Sequence, residues 1–423
     1  MKSFGATASA DASFEDFGRY PSPVTDPEAL FSDLQWYIYR ARNTVYFTSF
    51  SNKRYDKEAL KDMVAKMCIL APQLTFGYEG ARPGAPLTEK QLEAITKVEL
   101  IDSFDGYPDK CLSRAQELFE HKGMPLFRVT ALVRRDGPDE QGRASIILVR
   151  SAHAMLEGAD SALLTRSQRT GFSPGETAHD QAPVLQKFLT GALIGLAAIL
   201  HLVIANLLAP KKLNMGFATL AIERSRLRRI ADKFGVRQRS LMFAVVMYAL
   251  NQAKGGFNAK KISAAYTGLD DDRAKKGDSY FRVRTLRTQF PFSPDFATFA
   301  RAVDAKIDEI ESRDSSKEQL AMNLVMKTHR FLAHIMPFMY TDRFFRYSGS
   351  MNIVLTLVPP HRVAGNLTAG MTEPIYCGSY HPSANLIAFV PGREYVTFNF
   401  SMHQEHIANV PDVEALLDTL DAA

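Results

Sequence analysis

The residues best able to do chemistry are His153 and, four positions on, Glu157. An imidazole titrates near neutral pH, so it is the usual side chain for taking a proton from a hydroxyl or amine. The surrounding stretch supports that use. Ile146-Ile147-Leu148-Val149 is an apolar run that reads as a buried strand. Ser151-Ala152-His153 follows. From Ala154 the apolar spacing becomes helical, through Met155, Ala159, Ala162 and Leu163, and Gly158 lets another backbone come close. His153 thus stands where a strand hands over to a helix, held by rigid elements and facing a cleft. The plainer reading is a lone histidine at a strand end with an acid at i+4 by coincidence. The stretch alone leaves both open.

The other candidates point elsewhere. Cys68, Cys111 and Cys377 lie far apart, with no CxxC pair and no metal spacing. They read as small core residues in a reducing compartment. His403 and His406 sit beside Glu405, but no third ligand stands at metal-binding spacing. These two, with His329, His334 and His381, read as ordinary core or surface residues. No metal is expected, and no cofactor.

The chain has 423 residues, 46% of them hydrophobic, enough for two domains with real cores. Its net charge of +5 is mild, and no zinc-finger or RNA-binding aromatic signature accompanies it, so no nucleic-acid partner is expected. The start, MKSFGATASADASFEDF, lacks an apolar run of signal-peptide length. A cytoplasmic-side protein is expected.

Strands are expected over 45–50, 98–101, 125–133, 217–222, 280–286, 352–358, 386–390 and 395–402, the last two as a hairpin, and a short strand or turn over 75–80. Helices are expected over 57–69, 110–121, 223–234, 240–251, 295–312, 316–332 and 413–420. Residues 1–12 read as a disordered lead, Pro21 to Pro27 as turns, and 165–186 as a loop. The basic helix ending at Phe234 reads as a solvated face rather than a phosphate site. Phe188 to Ala209 runs 22 residues without a charge. At about 1.5 Å per residue it could cross a bilayer core of about 30 Å, or form a buried or membrane-dipping helix. Gly191, Gly195, His201 and Asn206 weigh against spanning.

In their order along the chain, these motifs resemble the wax ester synthase / diacylglycerol acyltransferase family. That family belongs to the superfamily of chloramphenicol-acetyltransferase-like, CoA-dependent acyltransferases and condensation domains. The family's HHxxxDG motif stands here as Ala152-His153-Ala154-Met155-Leu156-Glu157-Gly158. Pro125-Leu126-Phe127-Arg128 matches its P-L-W/F-R strand, and Pro210 with Leu213-Asn214 resembles its P-L-N element. Arg239-Ser240 stands at its N-D pair, Gly277-Asp278 at its G-N strand, and Asn352 to Pro360 at its N-V-P-G-P turn. Val410-Pro411-Asp412 matches its closing element. The resemblance spans roughly residues 14 to 420. It departs at the first motif histidine (Ala152), the motif aspartate (Glu157) and the N-D pair.

The resemblance implies an α/β (α+β) fold: two chloramphenicol-acetyltransferase-like domains, each a mixed β-sheet with flanking helices, paired as a pseudodimer around a central channel. The expected divisions are 1–180, an apolar linker over 181–212, and 213–423. Both halves must then lie on one side of any membrane, so the apolar linker is read as peripheral to the inner face rather than spanning. It also implies an acyltransferase with acyl-CoA as co-substrate and a lipid or alcohol acceptor. His153, Glu157 and Asn214 are the expected catalytic set: base, loop-holding carboxylate and oxyanion donor. Ser151 is a second donor candidate. Gly158 and Ala152 shape the motif, and Arg282 or Arg284 is the expected partner of Glu157. Two other readings stay open: a non-catalytic lipid- or acyl-binding homologue, and a condensation-type enzyme taking its thioester from an acyl carrier protein in trans.

Overall fold

The apolar, β-branched runs become strands, and the strands assemble into two mixed sheets. The computed structural model describes residues 33–70, 74, 87–114, 126–153, 184–210, 214–269, 283–312, 316–347, 351–358, 371–381 and 384–422. The disordered lead, the turns over 21–27, the short strand or turn expected over 75–80, the distal part of the helix expected over 110–121 and most of the loop over 165–186 lie outside them.

The N-terminal half runs α1 (Asp33–Arg40), β1 (Thr44–Ser51), α2 (Lys57–Leu70), α3 (Glu89–Ile95), β2 (Thr96–Ile101), α4 (Asp109–Ser113), β3 (Phe127–Arg134) and β4 (Ser145–Ala152). Thr88 opens α3 with a capping box closed by Gln91. Helix α5 (Val184–Leu208) links the halves. The C-terminal half continues with β5 (Met215–Glu223), α6 (Arg224–Phe234), α7 (Gln238–Gln252), β6 (Lys261–Leu269), β7 (Val283–Pro291), α8 (Phe296–Ser312), α9 (Ser316–Ile335) and α10 (Asp342–Phe345). It ends with β8 (Ile353–Leu357), β9 (Met371–Tyr380), β10 (Leu386–Pro391), β11 (Tyr395–His403), α11 (Gln404–Ile407) and α12 (Val410–Ala422). Gly235 ends α6 at φ 65°, where a side chain would be strained.

One sheet has the order β2-β3-β4-β1-β9, the other β5-β11-β10-β8-β6-β7. In the first, β2 and β3 are parallel and the remaining pairs antiparallel. In the second, β8 runs parallel to β10 and β6 while β11 is antiparallel to β10 and β5. The architecture is therefore the expected one of two mixed sheets with helices. Strand β9 crosses between the halves: it follows β8 in the chain but pairs with β1. Three strands differ from the sequence reading. β6 and β9 had no strand signal, and β7 runs to Pro291 instead of ending near 286.

Helix α7 is buried nearly all round, from Leu241 to Met247, and anchors the C-terminal core with Phe299, Phe389 and Phe398. A second core joins the two sheets: Val45, Phe47, Val149 and Cys377 pack in one cluster with Val354, Leu386 and Ala388. Thr219 Oγ1 donates to Asp109 at 2.8 Å across the halves. The basic helix α6 is an ion-paired surface: Arg226 and Arg229 meet Asp418 and Asp421 of α12.

Helix α5 buries one face, Ala198, Leu202 and Ala205, and leaves Leu193, Leu196, Leu200, Leu207 and Leu208 well exposed. Two of its polar residues, His201 and Asn206, have hydrogen-bond partners. Asn206 Nδ2 donates to Leu202 O and Met339 O at 2.9 and 2.8 Å. Among the described residues, no helix is long and apolar enough to cross a membrane.

Candidate functional site

Strand β4 is buried at every position, and its apolar run fixes the end that carries His153. β1 lies between β4 and β9. Thr44 faces Ala152 on one side and Tyr380 on the other. One step beyond, the His153 N–H donates to Asn43 O at 2.8 Å, so the ladder extends by one rung. That rung is His153, Asn43 and His381, contributed by three adjacent strands. Residues of one rung share a face of the sheet, so both imidazoles stand above the side that also carries Val45, Phe47 and Cys377.

His153 is half-buried, and so is His381. Burial lowers the His381 pKa to about 4, and the positive charge that His153 can carry lowers it further in the same direction. His381 is therefore a neutral imidazole through the physiological range. Asn43 is 1% exposed, and its Oδ1 has no hydrogen-bond donor among the described residues. The rung below holds Ser151 and Ser379 on either side of Val45. Ser151 Oγ donates to Ala152 O at 3.1 Å. Ser379 Oγ is buried and lacks a partner among the described residues. These polar side chains thus end an otherwise apolar interlayer. Similar buried oxygens without partners among the described residues recur along β1, at Thr44, Tyr46, Thr48 and Ser49.

The opposite face is structural. Arg150, 2% exposed, donates to Arg114 O at 2.7 Å and to Thr130 Oγ1 at 3.2 Å. Ala152 is fully buried against Trp36, Leu126, Ala198 and Leu202. The position of the first motif histidine is thus filled by a methyl group inside an apolar cluster with α1 and α5.

The expected site residues are partly brought together. Ser151, Ala152 and His153 are consecutive at the strand end. Asn214 is exposed at the mouth of β5, where its carbonyl accepts from Gln404 N at 2.8 Å. Its amide makes no hydrogen bond to His153 among the described residues. Glu157, Gly158 and Arg282 lie outside the described residues. Arg284 has its backbone in β7, opposite Gly268. His381, Asn43 and Ser379 are the additions. No local signal marks them, because β9 carries Pro374 and Gly378 in its middle and reads as a loop.

Gly378 shows how closely β9 must approach. A Cβ there would lie 2.7 Å from Tyr46 Cζ, with the Tyr46 hydroxyl closer still, and Tyr46 is 2% exposed. Gly378→Ala should therefore cost about 1–3 kcal/mol, the usual range for overpacking. It should also lower any activity that needs His381 in register. Urea unfolding of the two proteins measures the first effect.

No protein-family model and no curated protein matches the chain. Solved structures do. The EpoB cyclization-docking bidomain from Sorangium cellulosum aligns over 95% of this chain and 87% of its own, at 11% identity and TM-score 0.51. The first condensation domain of the CDA synthetase aligns over 93% and 96%, at 12% identity and TM-score 0.52. The wax ester synthase/diacylglycerol acyltransferase from Marinobacter aquaeolei VT8 aligns over 95% and 98%, at 15% identity and TM-score 0.50. At such identities a likeness carries the fold alone. Over 93–95% of its length this chain has the two-lobed, chloramphenicol-acetyltransferase-like fold of condensation domains and of wax ester synthases.

Proposed function

We propose that the protein transfers an acyl group from a thioester to a hydroxyl or amine, with His153 as general base. The observation that carries this reading is the placement of His153: at the end of a buried central strand, on the rung that joins strands from both halves of an acyltransferase-type fold. The imidazole takes the proton of the acceptor O–H or N–H as that atom attacks the thioester carbonyl. The tetrahedral intermediate collapses by breaking the C–S bond. The leaving thiolate recovers the proton from the imidazolium, so no covalent enzyme intermediate forms.

Acyl-CoA as donor and a lipid-like alcohol as acceptor fit best with helix α5. Its exposed leucines, together with Phe331 (63% exposed) on α9 and Phe338 (73% exposed) just after it, suit a protein working against a bilayer or lipid droplet. Replacing Leu196, Leu200 and Leu207 together by Glu should reduce co-sedimentation with phospholipid vesicles about tenfold or more, since each loses burial of a leucine side chain. Unchanged sedimentation would remove the lipid acceptor from the proposal. A carrier-protein thioester is the second reading, favoured by the condensation-type domains among the similar structures.

The test is free-thiol release by purified protein. Acyl-CoAs of several lengths and acyl-pantetheinyl carrier protein serve as donors, with alcohols, diacylglycerol or amines as acceptors. Acceptor-dependent release supports acyl transfer, and the donor that works separates the two readings. Binding of donor without release from any of them supports the non-catalytic homologue.

A further inference from the structure

A tetrahedral intermediate needs a hydrogen-bond donor for its oxyanion, and the sequence offers Asn214 and Ser151 for that role. The Ser151 hydroxyl proton is committed to Ala152 O. The Asn214 amide, exposed at the mouth of β5, makes no bond to His153 among the described residues. The rung that carries His153 ends instead in a second imidazole.

We propose that His381 supplies such a donor: its ring N–H stabilises the oxyanion formed when the acceptor attacks the thioester. The inference rests on the acyl-transfer reading above and extends it with a catalytic residue from the C-terminal half. Three observations support it. β4 and β9 flank β1 in register, so the two imidazoles rise from the same rung on the same face. Two strand spacings separate their backbones by about 10 Å, and the rings are near enough for a charge on His153 to act on His381. Asn43 Oδ1 and Ser379 Oγ, both buried and without hydrogen-bond partners among the described residues, lie on the same face of the sheet.

The charge state also fits. A neutral imidazole has one N–H donor and one acceptor nitrogen. Burial keeps His381 neutral at pH 7. When His153 becomes imidazolium in the reaction, a second cation beside it would be costly. A neutral donor stabilises the oxyanion without that repulsion, so the row carries one positive and one negative charge at the transition state.

The test compares His381→Met, which removes the donor, with His381→Gln, which keeps an N–H on a side chain of similar reach. Both are measured beside wild type and His153→Ala in the thiol-release assay. His381→Met should lower kcat about a hundred- to thousandfold, the usual cost of one oxyanion donor, with little change in KM for the acyl donor. His381→Gln should recover most of that loss, which a purely structural role for the residue would not produce. Should His381→Met not fold, His381→Ala, which crowds nothing, replaces it. Full kcat in the folded donor-less variant, with activity lost in His153→Ala, overturns the role of His381 alone. No turnover in wild type with any thioester overturns the acyl-transfer reading and this inference with it.

Discussion

His153→Ala should lower acyl transfer about a hundred- to ten-thousandfold, the contribution of a well-placed general base. Its effect should fall on kcat, with KM for the acyl donor nearly unchanged, because a base acts in the transition state rather than on the bound ground state. The fold should survive. His153 lies past the last buried position of β4, is half-buried, and holds the sheet through its backbone N–H to Asn43 O, which alanine keeps. The urea midpoint of the variant should therefore match wild type while turnover is lost. A matching midpoint with retained turnover would remove His153 from the mechanism.

Acid should weaken the contact between α5 and α9, and His329 is the reason. Its ring is 1% exposed and sits among Tyr340, Phe344 and His201. Nδ1 shares a hydrogen bond of 2.8 Å with the Tyr340 hydroxyl, and Nε2 faces His201 Nδ1 at 3.4 Å. Two proton arrangements satisfy this row: Tyr340 donates to His329 and His329 to His201, or both bonds run the other way. Burial, and then the charge His201 can carry, lower the His329 pKa to about 4. Above pH 6.5 both folded and unfolded chains hold this imidazole neutral, and the contact is at full strength. Between pH 6.5 and 4 the unfolded chain takes up a proton that the folded one refuses, so stability falls with pH. The loss by pH 4 is about 3 kcal/mol from this one residue. His201 and His381, also lowered, add to it. His329→Asn cannot titrate but can still accept from Tyr340. It should shrink the difference in urea stability between pH 7 and pH 4.5 by about 2 kcal/mol. An unchanged difference would place the acid sensitivity elsewhere.

Much of the fold was readable from local pattern. β4, β10 and β11 are dense β-branched or aromatic runs, and α7 is apolar on all sides, so their place in the core follows from composition. The order of motifs around His153 implied the two-lobed architecture that the structure has. Two strands escaped. β6, KISAAYTGL, is built of small residues with weak strand preference, and β9 is interrupted by Pro374 and Gly378. Pairing with β1, rather than intrinsic preference, makes β9 a strand, and such pairing is invisible to a window of neighbouring residues. The site inherits this limit. His153 could be found because its own strand announces it. His381 could not, because its meaning comes from a rung shared with residues from the other half of the chain. Asn214 drew attention through its motif position, just before β5, where its carbonyl accepts from Gln404 N.

The crossing of β9 has a consequence for how the chain is made. β1 is the fourth strand of its sheet, and its outer edge is covered by a segment that follows it by more than three hundred residues. While the N-terminal half emerges from a ribosome, Thr44–Ser51 presents unpaired backbone groups and apolar side chains with nothing to cover them. Such an open border invites pairing with other chains. It stays open until residues near the far end are synthesised and a loop of that length closes, a slow event for non-local strand pairing. The N-terminal half should therefore not be obtainable as a soluble fragment on its own, whereas adding residues 371–381 in trans should reduce its aggregation. The chemistry and the assembly of this protein thus depend on the same late strand: it closes the sheet only when the molecule is nearly whole, and with it comes the second histidine.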